Sequence, residues 1–128
     1  MTTIIGEKED RTAEKIKSLY EEWLNLQAKE IFYKKVFHLS ALMKVSPKRI
    51  AVKKLKNRWG SITEKETINL NVNLIKTPED VIDYIITHEL CHFRIKGHSH
   101  HFWNYLNQFA PNYHKKIDWL KRNSDMLV

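Results

Sequence analysis

The sequence predicts an α+β fold, and three observations carry that prediction. Residues 7–43 repeat apolar side chains at helical spacing, with charged ones between them. Residues 67–74, Thr-Ile-Asn-Leu-Asn-Val-Asn-Leu, alternate polar and apolar as a half-buried strand does. Residues 77–97 return to helical spacing between a start signal and a glycine stop. The expected architecture is N-terminal helices, a small twisted three- to four-stranded sheet, a helix carrying His88-Glu89-Leu90-Cys91-His92, and two C-terminal helices.

Taken in order, Ile16, Leu19, Tyr20, Trp23, Leu24 and Leu26 trace an apolar stripe, with Glu21, Glu22 and Lys29 on its wet side. Ile31, Phe32, Val36, Phe37, Leu39 and Leu42 continue it, with a break or second helix expected near Lys29-Glu30. His38 lies in this stripe and reads as a packing histidine rather than a ligand. Ser46-Pro47 stops the pattern. Strands are expected over residues 49–53, 57–63 and 67–74, with Glu64-Lys65-Glu66 as the last turn. Gly60 suggests a bulge or a close approach of another backbone. Thr77-Pro78-Glu79-Asp80 reads as a helix start, with a threonine cap, proline at the first position and acids in the first turn. Ser99 reads as the cap of a helix running to Phe109, Ala110-Pro111-Asn112 ends it, and Tyr113, Ile117 and Leu120 mark a last short helix.

At 128 residues the chain suits one domain, 1–128, with no internal boundary and with residues 1–10 expected to be flexible. Hydrophobic residues make up 42%, and Gly and Pro number only three each, which argues against disorder. No apolar run approaches the ~20 residues of a membrane span, and Met1-Thr2-Thr3-Ile4-Ile5 is too short for a signal peptide. A single cysteine excludes an internal disulfide framework and fits a reducing cytoplasm. The net charge is +7, and residues 31–63 hold nine basic side chains and no acid. Such a block could take nucleic acid or an acidic partner through its charge, or it could be a solvated surface.

The chemistry concentrates in residues 88–98. His88 and His92 are four apart, so one helical face presents both imidazoles to a single ion. His98 follows Lys96-Gly97, a cation and a glycine that end a helix and turn the chain back. Three neutral imidazoles suit zinc and leave a fourth position for water, whose pKa the ion lowers to about 7. Glu89 follows the first histidine and can take the proton of that water without binding the metal. Cys91 points off the ligand face and reads as a small core residue.

Arg58-Trp59-Gly60-Ser61, Ile68-Asn69-Leu70-Asn71, Val81-Ile82-Asp83-Tyr84, His88-Glu89-Leu90-Cys91-His92, His98-Ser99 and Phe102-Trp103 occur in that order. The series resembles the YgjP-like family of predicted zinc metallopeptidases over residues 14–123. The resemblance implies a zincin-like domain related to the minimal gluzincins and to SprT/WLM-type proteases. It implies metal ligands at His88, His92 and His98, a catalytic base at Glu89, and a cleft rim at the Trp-Gly-Ser strand, where a substrate peptide could pair by strand addition. Ile62 stands where many relatives have a cysteine, Val72 replaces a frequent tryptophan, and Glu64-Lys65-Glu66 lacks the usual turn glycine.

The reading is a zinc-dependent metallopeptidase with one zinc per chain, acting on a peptide or protein. Two alternatives stand beside it. One is a nucleic-acid-associated module with a structural zinc and the basic block 31–63. The other is a zinc hydrolase of non-peptide substrates. For the oxyanion that forms as water attacks, the candidate donors are His100, His101, Tyr105, Tyr113 and Arg58.

Overall fold

A computed structural model describes the backbone of residues 2–127 and the side chains of residues 11–126. The expected flexibility of residues 1–10 lies outside the described residues, apart from the helical backbone that begins at Thr2.

The first element is one helix, α1 (Thr2–Met43), rather than the helices expected from a break near Lys29-Glu30. Nothing there stops a helix: the neighbourhood holds no proline or glycine, and Ala28 and Phe32 are completely buried on either side of the supposed break. The helix ends where Lys44 turns left-handed (φ 59°). Its second half is an amphipathic wall, with Ala28, Phe32, Val36 and Met43 in the core. Its first half departs from expectation. Ile16, Leu19, Tyr20, Trp23 and Leu26 are each more than half exposed. His38 is exposed as well, not a packed core residue.

Three strands form one sheet in the order β1-β3-β2: β1 (Arg49–Lys53), β2 (Gly60–Ile62) and β3 (Thr67–Asn71). The β2–β3 pair is antiparallel, closed by a turn in which Glu66 is left-handed (φ 62°) and its N–H donates to the Thr63 carbonyl (3.0 Å). The β1–β3 pair is parallel, Arg49 facing Thr67 and Lys53 facing Asn71. The last strand in sequence therefore lies in the middle of the sheet.

The strand expected over residues 67–74 stops at Asn71, and a 3-10 turn, Val72–Lys76, follows. The Asn71 side chain causes the change: its Oδ1 accepts from the Asn73 N–H (3.0 Å), a local bond that competes with the ladder. Thr77 does not cap the next helix either. Its hydroxyl donates to the Leu74 carbonyl (2.7 Å), and α2 (Glu79–Cys91) opens at Pro78 with no side-chain cap. Acids in the first turn, Glu79 and Asp80, are as read from the sequence, and they favour the positive helix end.

Helix α2 is nearly enclosed. Val81, Ile82, Tyr84, Ile85, Ile86, Leu90 and Cys91 are buried between α1, the sheet, α3 (His100–Asn107) and α4 (Tyr113–Arg122). Each fully buried aliphatic side chain of this kind contributes about 1.5–3 kcal/mol. Ser99 precedes α3 as expected, yet without a side-chain cap bond.

The basic side chains of residues 31–63 are largely exposed. Lys34 pairs with Glu30, Lys48 with Glu66 and Lys54 with Glu21, while Lys35 lies 2.9 Å from Glu79 and 2.8 Å from Asp83, tying α1 to α2. Among the described residues, no helix is long and apolar enough to cross a membrane.

Candidate metal centre

Regular helix ends at Cys91, one residue before the second histidine, so the stop comes earlier than Lys96-Gly97. His92 keeps a helical backbone (φ −68°, ψ −11°), and a turn carries the chain through Arg94. Gly97 is left-handed (φ 76°), the conformation that returns His98 towards the helix. The i, i+4 pair and the return bring three ring nitrogens together. His98 Nε2 lies 3.1 Å from His88 Nε2 and 3.3 Å from His92 Nε2, and all three candidate ligand atoms fall within 4.8 Å of one another.

Those spacings fit a metal better than they fit hydrogen bonds among imidazoles. Zinc–nitrogen bonds of ~2.0–2.1 Å at a tetrahedral angle put neighbouring nitrogens about 3.3 Å apart. His92 Nδ1 sits 3.0 Å from the Ile95 carbonyl, which can only accept, so that nitrogen carries the proton and Nε2 keeps its lone pair. Desolvation, with the neighbouring His92 and His98 rings adding to it, pushes the His88 pKa down to about 3, so this imidazole stays unprotonated. Burial likewise lowers the His92 pKa. Among the described residues the cluster holds these three ligand-type side chains and no fourth.

The floor of the site is aromatic. Phe102, fully buried, stacks on His92 (4.5 Å between centroids, 16° between planes) and meets His88 and His98 edge-on at 5.0 and 5.1 Å. Trp103 Nε1 donates to the His98 carbonyl (3.1 Å), which pins the loop carrying the third ring. Of the candidate oxyanion donors, Tyr113 stacks on Trp103 at 5.2 Å and Tyr105 meets Phe109 edge-on at 5.3 Å. His100 and His101 are exposed at the start of α3. Arg58 lies close enough for its charge to act on the Glu89 carboxyl.

Glu89 faces the first residue of β2. A Cβ built on Gly60 would stand 3.2 Å from Glu89 Cγ and 3.2 Å from the Asn69 carbonyl, so the close approach read from that glycine is real. Desolvation raises the Glu89 pKa to about 7, against the opposing pull of Arg58. A carboxyl poised near neutrality can both take and return a proton.

The same burial makes a stability prediction for the metal-free protein. The folded-state pKa of Glu89 is raised from 4.5, so stability is full below 4.5 and is lost as pH rises towards about 7. Glu89→Gln removes that loss. It is expected to stabilise the metal-free fold by about 1–3 kcal/mol at pH 8 and by little at pH 4.5. Thermal melts at the two pH values check it, and an equal shift at both would refute the assignment.

Tyr84 is a residue that sequence reading missed as a site component. It is one turn before His88 on the same helix face, and its Oη lies 3.3 Å from His88 Nδ1. With Nε2 given to a metal, Nδ1 carries the proton and donates to that hydroxyl. The i, i+4 spacing was the available signal. Tyr84→Phe is expected to weaken zinc binding about 10–100-fold while keeping the ring packing. Competition with a chromophoric chelator measures this, and unchanged affinity removes Tyr84 from the site.

A family model for the YgjP-like metallopeptidase domain matches residues 2–123. The chain belongs to the YgjP-like family. As a member it is a metallopeptidase domain, in agreement with the resemblance carried by its motifs. No curated protein matches it. Solved structures that share the fold include two metallopeptidase zymogens. One is the metallopeptidase zymogen jannalysin of Methanocaldococcus jannaschii, 24% identical with a TM-score of 0.64, matching 71% of this chain and 94% of that one. The other is the zymogen abylysin of Pyrococcus abyssi, 19% identical with a TM-score of 0.63, matching 72% and 94%. At these identities they establish the architecture, an α+β zincin-like fold.

Proposed function

We propose that residues 1–128 form one catalytic unit that hydrolyses peptide bonds with one zinc ion held by His88, His92 and His98. The convergence of the three Nε2 atoms carries this reading. Three ligands rather than four favour a catalytic over a structural ion, since structural zinc is normally closed by four side chains. When bound, zinc polarises a carbonyl and makes water more acidic.

The chain's own groups supply the rest. Glu89 takes the proton of the attacking water and passes it to the leaving amine. Phe102 and Trp103 hold the histidine rings in register and exclude solvent beneath them. Tyr84 and the Ile95 carbonyl accept from the outer nitrogens of His88 and His92 and so fix their tautomers. β2 is an edge strand beside Glu89, so its free backbone groups can pair with an extended substrate and lay a peptide bond across the site. The free, buried Cys91 fits a reducing compartment such as the cytoplasm.

The test is cleavage of a defined peptide pool by purified protein. Zinc-loaded protein is expected to cut, chelator to abolish cutting, and zinc to restore it. Cleavage that survives complete removal of metal would overturn the reading.

A further inference from the structure

The sequence around the cleft is poor in counter-charge. Residues 31–63 contain no acid, and between Asp83 and Asp118 the only acid is Glu89. Lys34, Lys35, Lys48 and Lys54 of the basic block find carboxylates elsewhere in the fold. Arg58 is exposed and has no carboxylate within salt-bridge distance among the described residues.

Its place is nonetheless firmly built. Asn71 is completely buried at the end of the central strand, and its Nδ2 donates to the carbonyls of Leu55 (3.1 Å) and Arg58 (3.0 Å). The Asn71 backbone N–H donates to the Trp59 carbonyl (2.9 Å). Three backbone oxygens of the loop before β2 are thus tied to one residue of β3. Burying an amide with both ends used is stable only because each bond is made, and here the bonds immobilise the base of Arg58.

The place of Arg58 follows from its neighbours. Trp59 is buried in the core, while the Cβ position of Gly60 leads onto Glu89 and Ile85 of α2. Arg58 stands two residues before Gly60, so its backbone starts beside the carboxylate that Gly60 packs against. The charge felt at Glu89 agrees with that placement.

A guanidinium on a rigid base, beside the water-activating carboxylate and without a partner of its own, has the form of an anion receptor. Its planar fork suits a carboxylate, which accepts two parallel N–H bonds. We propose that Arg58 is a specificity-determining residue that binds a carboxylate of the substrate, so that the cleft selects peptides with an acidic group close to the scissile bond. The proposal rests on the peptidase reading above. The carboxylate can come from an Asp or Glu side chain or from the substrate's own C-terminus.

The experiment separates these sources with three matched sets of synthetic peptides. The first carries Asp or Glu and an amidated C-terminus. The second carries Asn or Gln instead, also amidated. The third is the neutral set with a free C-terminal carboxylate. Zinc-loaded protein is expected to cleave the first or third set about tenfold better than the second in kcat/KM, with the difference in KM. Arg58→Gln is expected to abolish the preference at parental zinc content, and Arg58→Lys, which keeps charge but loses the fork, to restore it in part. Binding of the same peptides, fluorescently labelled, to zinc-loaded Glu89→Gln protein with and without Arg58→Gln decides the matter independently of turnover. Acidic and neutral peptides bound or cleaved alike, including no binding of either, overturn the proposal. Cleavage that ignores charge leaves the peptidase reading standing, whereas acid-selective, Arg58-dependent binding without cleavage of any set sustains this proposal and counts against that reading.

Discussion

Glu89→Gln is expected to lower peptide hydrolysis by ~10²–10⁴ while the protein still binds zinc at parental stoichiometry. The substitution keeps the size of the side chain and nearly its hydrogen-bonding shape, and removes only its basicity. Glu89 is absent from the cluster of converging imidazoles, so zinc content has no reason to change. Its carboxyl is held near neutrality by desolvation, in reach of Arg58 and against Gly60. A proton acceptor with a pKa near the working pH contributes most to a step in which water loses its proton. Removal of that acceptor should therefore appear in kcat and in kcat/KM together, with little change in KM. The measurement is steady-state kinetics on a peptide that the parent cleaves, alongside zinc content by elemental analysis. Full activity in the variant, with zinc retained, would falsify Glu89 as the base.

The cluster of three histidines was legible in the sequence because its geometry is local. His88 and His92 share a face by helical periodicity alone, Gly97 announces the turn, and His98 follows at once. The pattern needs no long-range pairing, so spacing suffices to place three nitrogens together. Where the helix ended was harder to read. The chain leaves regular helix at Cys91 although no breaker stands there, and His92 still reaches the cluster because its backbone remains helical.

The sheet was legible as strands and not as a topology. Their spans say nothing of order, and in the sheet β3 is central and β1 joins it in parallel. The buried Asn71 ties the loop before β2 to the central strand, with bonds to the carbonyls of Leu55, Arg58 and Trp59. Alternation of polar and apolar residues cannot reveal that Asn71 spends its side chain on the backbone, nor that this same side chain ends the strand. Thr77 misled for a like reason, since its hydroxyl is committed to Leu74. The exposed stripe on the first half of α1 shows the opposite failure. Apolar periodicity predicts a buried face only if another element arrives to cover it, and among the described residues none does at Ile16, Leu19 or Trp23.

His98→Ala is expected to weaken zinc binding by on the order of 10²–10³ and to abolish peptide cleavage at stoichiometric zinc. Structural zinc sites bind with ~10–16 kcal/mol shared among four ligands, so one imidazole accounts for roughly 2.5–4 kcal/mol. The fold should survive the change. His98 is exposed, its loop is pinned through its backbone carbonyl by Trp103 Nε1, and that bond does not need the imidazole. The comparison with His92→Ala sharpens the point. His92 is half-buried, stacks on Phe102 and holds the Ile95 carbonyl through Nδ1, so its removal should lower both metal affinity and thermal stability. A ligand presented on a glycine turn and a ligand packed at a helix end thus predict different pairs of outcomes. Zinc titration against a chelator and melting of the metal-free variants measure both. If His98→Ala holds zinc as tightly as the parent, the third ligand lies elsewhere and the return at Gly97 serves another purpose.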